Sequence, residues 1–183
     1  MNYGAIKYCD IANGVGVRTS LFVSGCRVHC PGCFNGEAQD FGYGELFSRE
    51  VENDLLESLR PSYVRGLSLL GGDPMEPEHQ PELLELCERV VMELPEKDIW
   101  CYTGYVYERD LVAGGRRYVE GVTDRLLDCI DVLVDGPFIE AEKDITLRFR
   151  GSANQRLIDL PKTRETGQIA LWDDGPLFGT HTM

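Results

Sequence analysis

Apolar residues in this chain fall into short runs that end in glycine-containing loops, and longer stretches with helical spacing separate the runs. Val17 to Val23 mixes β-branched and aromatic residues and stops at Ser24-Gly25, which predicts a strand entering a loop rich in Cys, Pro and Gly. Ser48 has the residue type of a helix N-cap, and Val51, Leu55, Leu56 and Leu59 then share one helical face before Pro61. The run 66–70 ends at Gly71-Gly72-Asp73-Pro74, after which apolar residues at 83, 84, 87, 90, 91 and 94 predict a helix over 82–94. Ile99 to Tyr102 leads into Thr103-Gly104, a helix is predicted over 122–130, and the run 131–134 ends at Asp135-Gly136-Pro137. A weaker strand, Leu157 to Leu160, precedes Pro161, and the rest is polar apart from 169–172.

Strands alternating with helices of this length predict βαβ units, hence an α/β fold with a mostly parallel sheet and right-handed crossovers. In such folds the loops at the carboxyl ends of the strands carry the chemistry. The cysteine loop, Gly-Gly-Asp-Pro, Thr-Gly-Tyr and Asp-Gly-Pro-Phe all fall in that position and are expected to face one cleft.

Composition narrows the classes. With 183 residues of which 43% are apolar, the chain has enough apolar surface for one core. A formal charge of −13 argues against a nucleic acid partner, because phosphate binding needs a basic surface. The start of the chain has no basic region followed by an apolar run, and no stretch reaches the ~18 apolar residues of a membrane span, so a cytoplasmic protein is expected. Seven cysteines, at 9, 26, 30, 33, 87, 101 and 129, are an odd number, which argues against a full disulfide framework. Cys87, Cys101 and Cys129 lie in or beside apolar patterns, where free cysteine packs as a small hydrophobe.

The other cysteines that matter are clustered. Cys26-Arg27-Val28-His29-Cys30-Pro31-Gly32-Cys33 places three thiols within eight residues, enough for one loop to wrap one metal centre. A structural zinc site takes four protein ligands, and no second Cys-x-x-Cys pair is present, although His29 or His79 would complete a Cys₃His set. An iron–sulfur cubane takes one thiolate per iron, so three leave one iron open to a substrate, as catalytic metal sites generally require. The open arrangement favours a catalytic cluster, with a zinc-stabilised binding module as the alternative.

The Cys-x-x-x-Cys-x-x-Cys loop with Phe34 after it resembles the signature loop of the radical S-adenosylmethionine superfamily. That resemblance implies an incomplete (β/α) barrel over residues 1–156; residues 157–183 lie outside it and, being mostly polar, are expected to form a partly ordered C-terminal extension. It also implies a [4Fe–4S] cluster on Cys26, Cys30 and Cys33, and S-adenosylmethionine contacts from Gly32, Cys33, Phe34, Gly71, Gly72 and Asp73. Asp10 to Arg18, Leu69 to Pro74, Tyr102-Thr103-Gly104-Tyr105, Val132 to Phe138 and Arg150-Gly151-Ser152-Ala153-Asn154-Gln155 further resemble the activases of anaerobic, class III ribonucleotide reductases. By that likeness the reduced cluster cleaves S-adenosylmethionine, and the 5′-deoxyadenosyl radical makes a glycyl radical on the large reductase subunit. A flavodoxin or ferredoxin would supply the electron. Another glycyl-radical activase, such as that of pyruvate formate-lyase, is the alternative within this chemistry. No cofactor contact is assigned to Asp135-Gly136-Pro137-Phe138, and Asn13, Arg18, Arg150, Asn154 and Gln155 are read first as structural.

Overall fold

The computed structural model describes residues 1–173. Its strands are β1 (Asn2–Asp10), β2 (Val17–Val23), β3 (Glu45–Leu46), β4 (Val64–Gly71), β5 (Asp98–Tyr102), β6 (Val132–Asp135) and β7 (Arg156–Asp159). The α-helices are α1 (Arg49–Leu59), α2 (Gln80–Glu93), α3 (Thr123–Cys129) and α4 (Leu160–Thr166). All seven strands join one sheet in the order β3-β1-β2-β4-β5-β6-β7.

The α/β class and the predicted strand–helix alternation hold, but the expectation of a mostly parallel sheet needs correction. Pairing is parallel only in the central block β2-β4-β5-β6, while β1 runs antiparallel to both its neighbours and β7 antiparallel to β6. The reason lies in the connections. Parallel neighbours need a crossover, which α1, α2 and α3 supply, whereas the short link from β1 to β2 and the helix-poor link from β6 to β7 return the chain in the opposite sense. Nothing in the hydrophobic pattern marked β1, because its residues are half-buried or exposed throughout.

α1 begins where its cap predicts, with the Ser48 hydroxyl accepting from the Val51 amide at 3.3 Å. The two faces of the sheet are unequal. Leu21, Val23, Leu67, Leu69, Ile99, Cys101, Leu133 and Ile158 pack with Leu55, Leu59, Leu83, Cys87, Val90, Leu126 and Leu160 of the helices into the main core. Residues of the opposite parity, Trp100, Val132, Val134 and Leu157, form a second cluster with Tyr102, Phe149 and Trp172, to which no described helix contributes. The described helices therefore pack on one side of the sheet.

The segment after β7 contains α4, where the sequence pattern predicts only a strand ending before Pro161. Proline sits instead in the first helical turn, where its missing N–H costs nothing, and the Asp159 side chain caps the helix by accepting from Lys162 N at 2.9 Å. Trp172 returns to the sheet and packs edge-on against Trp100, with ring centroids 5.0 Å apart. The part of the expected extension from 174 to 183 lies outside the described residues.

Candidate functional site

β2 and β4 end side by side, with Val23 in register with Gly71, so the cysteine loop and the Gly71-Gly72-Asp73-Pro74 turn leave the sheet at the same rim. The cysteine loop is closed at its base by its own backbone: Gly25 N donates to Ala38 O at 2.8 Å and Cys26 N to Gln39 O at 3.1 Å. Within it, Cys33 N donates to Cys30 O at 3.1 Å, and Gly32 takes φ +73, which glycine adopts without a steric penalty. All three thiols are half-buried. Burial pushes the Cys26 thiol up to about 12, with the Asp73 charge adding to the shift, and raises that of Cys30 against a hydrogen bond from the Phe138 backbone. Phe34, at the far end of the loop, is 92% exposed.

Among the described residues no group of three or more His, Cys, Asp or Glu side chains, the three loop cysteines included, is placed to hold a single metal ion. The donor set that the loop carries is three thiols, the soft ligands that iron–sulfur clusters take. Each histidine considered as a fourth ligand has a protein partner: His29 Nδ1 meets Gln39 Oε1 at 2.9 Å, and His79, buried beside Phe41, places Nδ1 2.7 Å from the Asp73 carbonyl.

The two glycines allow close approach, and the backbone they approach is the protein's own. A Cβ at Gly71, where φ is +112, would stand 2.5 Å from the Val23 carbonyl oxygen, and one at Gly72 would stand 2.4 Å from that of Gly25. Gly72 N and Asp73 N donate to those same two carbonyls at 2.6 and 2.8 Å, locking the turn to the start of the cysteine loop. Gly72→Ala is therefore expected to destabilise the protein by about 2 kcal/mol or more, since the collision is with backbone that no rotamer can clear. Urea unfolding would check it, and a change below about 0.5 kcal/mol would show that the turn yields freely.

Asp73, expected beside the cofactor, is buried, and its carboxylate is held by protein donors. Met75 N and the Thr103 hydroxyl reach Oδ1 at 2.9 and 2.8 Å, and Gly104 N reaches Oδ2 at 2.8 Å. Burial pushes this carboxyl up to about 7, against the pull of the three donors. Through Asp73 the loops after β4 and β5 become one unit with the cysteine loop.

Several groups that sequence reasoning passed over complete the rim. Glu76 is fully buried and accepts from Arg27 N at 2.7 Å, Arg27 Nη1 at 2.7 Å and the Tyr105 hydroxyl at 2.6 Å. Arg27 stacks its guanidinium 4.4 Å above the Phe41 ring and also grips Glu78, whose carboxyl it holds at about 2. A carboxylate in Glu76-Pro77-Glu78 reads as a solvated loop charge, and no local signal distinguishes the one that folds inward.

Asn13 and Arg18 lie at the other rim. Arg18 is fully buried at the amino end of β2, donating to Ser68 Oγ and the Leu67 carbonyl at 2.7 Å each and pairing with Asp98. Asn13 Nδ2 donates to Asp10 at 2.6 Å. A cavity of about 230 Å³ between Trp100, Trp172, Asp98 and Asp131 belongs to this rim as well, away from the cysteines. Asn154 and Gln155 are on the cysteine side, where their amides donate to the Pro137 and Gly136 carbonyls at 2.8 and 3.0 Å and pin the loop after β6. No described helix is long and apolar enough to cross a membrane.

Residues 12–158 match a family model described as a 4Fe-4S single cluster domain. Over 157 residues the chain is 41% identical to the anaerobic ribonucleoside-triphosphate reductase-activating protein of Vibrio cholerae, covering 85% of this chain and 96% of the relative. The protein of the same name from Escherichia coli is 39% identical over the same shares, and that of Enterobacteria phage T4 is 40% identical over 86% of this chain and 93% of its own length. With the three-thiol loop inside the matched region and relatives aligned over nearly their whole lengths, the chain belongs to the family of anaerobic ribonucleoside-triphosphate reductase-activating proteins.

Proposed function

We propose that this chain activates an anaerobic ribonucleotide reductase by reductive cleavage of S-adenosylmethionine at a [4Fe–4S] cluster, leaving a glycyl radical on the reductase. The observation that carries the reading is the position of the three-thiol loop: Cys26, Cys30 and Cys33 stand at the carboxyl rim of the parallel block, locked to the Gly71-Gly72 turn. When bound, the cluster and S-adenosylmethionine supply the chemistry, an electron that breaks a carbon–sulfur bond and a 5′-deoxyadenosyl radical that removes hydrogen from glycine.

The chain's own contribution is holding and shielding, as is usual where cofactors carry the hard step. Cys26, Cys30 and Cys33 would hold the cluster and leave it open to S-adenosylmethionine, and the Gly71-Gly72 turn, locked to the start of the cysteine loop, would contact that cofactor. Gly32, Cys33 and Phe34 would border the cofactor, the exposed Phe34 ring lying against its purine. One-sided helix packing supports an incomplete barrel, which would leave a lateral opening for a protein loop to reach the cluster. An electron carrier such as a flavodoxin or ferredoxin would reduce it.

The test is anaerobic loading with iron and sulfide, followed by electron paramagnetic resonance of the reduced protein with and without S-adenosylmethionine and then with the reductase. A [4Fe–4S]⁺ signal altered by S-adenosylmethionine, and a glycyl radical on the reductase, are expected. A radical on pyruvate formate-lyase alone would transfer the assignment to that activase. Stoichiometric zinc with no cluster would overturn the chemistry.

A further inference from the structure

Glu76 has no solvent exposure, and nothing in the proposed chemistry uses it. Burying a carboxylate is unfavourable unless it is paired and hydrogen-bonded, so its partners show what the burial achieves. Two of its three close donors belong to Arg27, the residue directly after Cys26: the backbone amide and Nη1, each at 2.7 Å. The third is the Tyr105 hydroxyl at 2.6 Å, from the loop after β5. A guanidinium contact alone would pin only a side chain. The bond to the Arg27 amide fixes the backbone that carries Cys26, and the Phe41 ring 4.4 Å from the guanidinium backs the pair from the other side. Glu76 itself is anchored to the glycine turn, since its amide donates to the Asp73 carbonyl at 3.2 Å.

We infer that Glu76 is a positioning residue for the cysteine loop: through Arg27 it sets the backbone at Cys26 before a cluster is bound, and it couples that loop to the Gly71–Asp73 turn. The inference rests on the reading of Cys26, Cys30 and Cys33 as cluster ligands, and the test separates the two. In cluster-free protein, hydrogen exchange over residues 26–33 is expected to be faster in Glu76→Ala by about tenfold or more, with β5 and β6 unchanged. In protein loaded with iron and sulfide, the same variant is expected to lose iron to a chelator about tenfold faster or more, the usual scale for removing a group that orients a ligand. Glu76→Gln keeps an acceptor for the Arg27 amide and is expected to fall between the two in both measurements. Equal exchange and equal iron retention in a folded Glu76→Ala protein would overturn the inference; if that variant does not fold, the same equality in Glu76→Gln overturns it. Wild-type protein that assembles no cubane would sink the cluster reading instead, and exchange over 26–33 would then decide whether Glu76 sets the loop.

Discussion

Cys30→Ala is expected to leave a folded protein with no intact [4Fe–4S] cluster and no capacity to generate a glycyl radical, and Cys26→Ala and Cys33→Ala are expected to match it. The fold should survive because the thiols are half-buried on a loop whose base is closed by backbone bonds from Gly25 and Cys26 to Ala38 and Gln39. Unfolding free energy should change by less than about 1 kcal/mol, the usual range for a residue outside the core. Cys87→Ala is the contrast. Its side chain is fully buried among the helices, so the variant should keep the cluster and lose about 1–2 kcal/mol to the cavity. Iron content, visible absorption and urea unfolding read both properties. A Cys30→Ala protein that retains the cluster with full S-adenosylmethionine response would sink the ligand assignment.

Arg18→Met should give the largest loss of stability, about 3–5 kcal/mol, because it breaks a buried ion pair and leaves groups that the guanidinium satisfies. Arg18 is fully buried, pairs with Asp98, donates to Ser68 and to the Leu67 carbonyl, and lies 5.4 Å from the centroid of the Trp100 ring. The melting temperature should fall by roughly 10 °C for a chain of this size. Because these contacts lie at the amino rim, the resonance spectrum of the loaded variant should respond to S-adenosylmethionine as the wild type does. A variant of normal stability that has lost that response would place Arg18 in the cofactor site and overturn the structural role.

Much of the architecture was legible because short-range rules govern it. β2, β4, β5 and β6 are runs buried on both faces of a sheet, and such runs are recognisable without knowing their neighbours. α1 and α2 carry apolar stripes with a helical period, and Ser48 marks the start of the first. β1 was not legible: half-buried, with its irregular register against β2, it owes its extended form to pairing and not to pattern. α4 was hidden by Pro161, which acts as a strand breaker or as a first-turn residue according to what surrounds it.

The candidate site divides in the same way. The three clustered cysteines and the adjacent glycines stand out in the sequence by spacing and residue type, because thiol chemistry and steric tolerance belong to individual residues. The burial of Asp73, expected as a cofactor contact, and of Glu76 could not be read, since a carboxylate in a loop has the same local signature whether it faces solvent or is buried against three donors.

The sequence by itself determined the α/β alternation, the strands of the parallel block and the three-thiol loop at its carboxyl rim, since each depends on interactions among residues close along the chain. Only the tertiary structure decided the antiparallel flanks, the one-sided packing of the helices, the burial of Asp73 and Glu76, and the placement of Arg18 at the opposite rim. Those outcomes depend on which surfaces meet: a charge folds inward only where distant segments supply its donors, and a strand takes its direction from the connection that brings it back to the sheet.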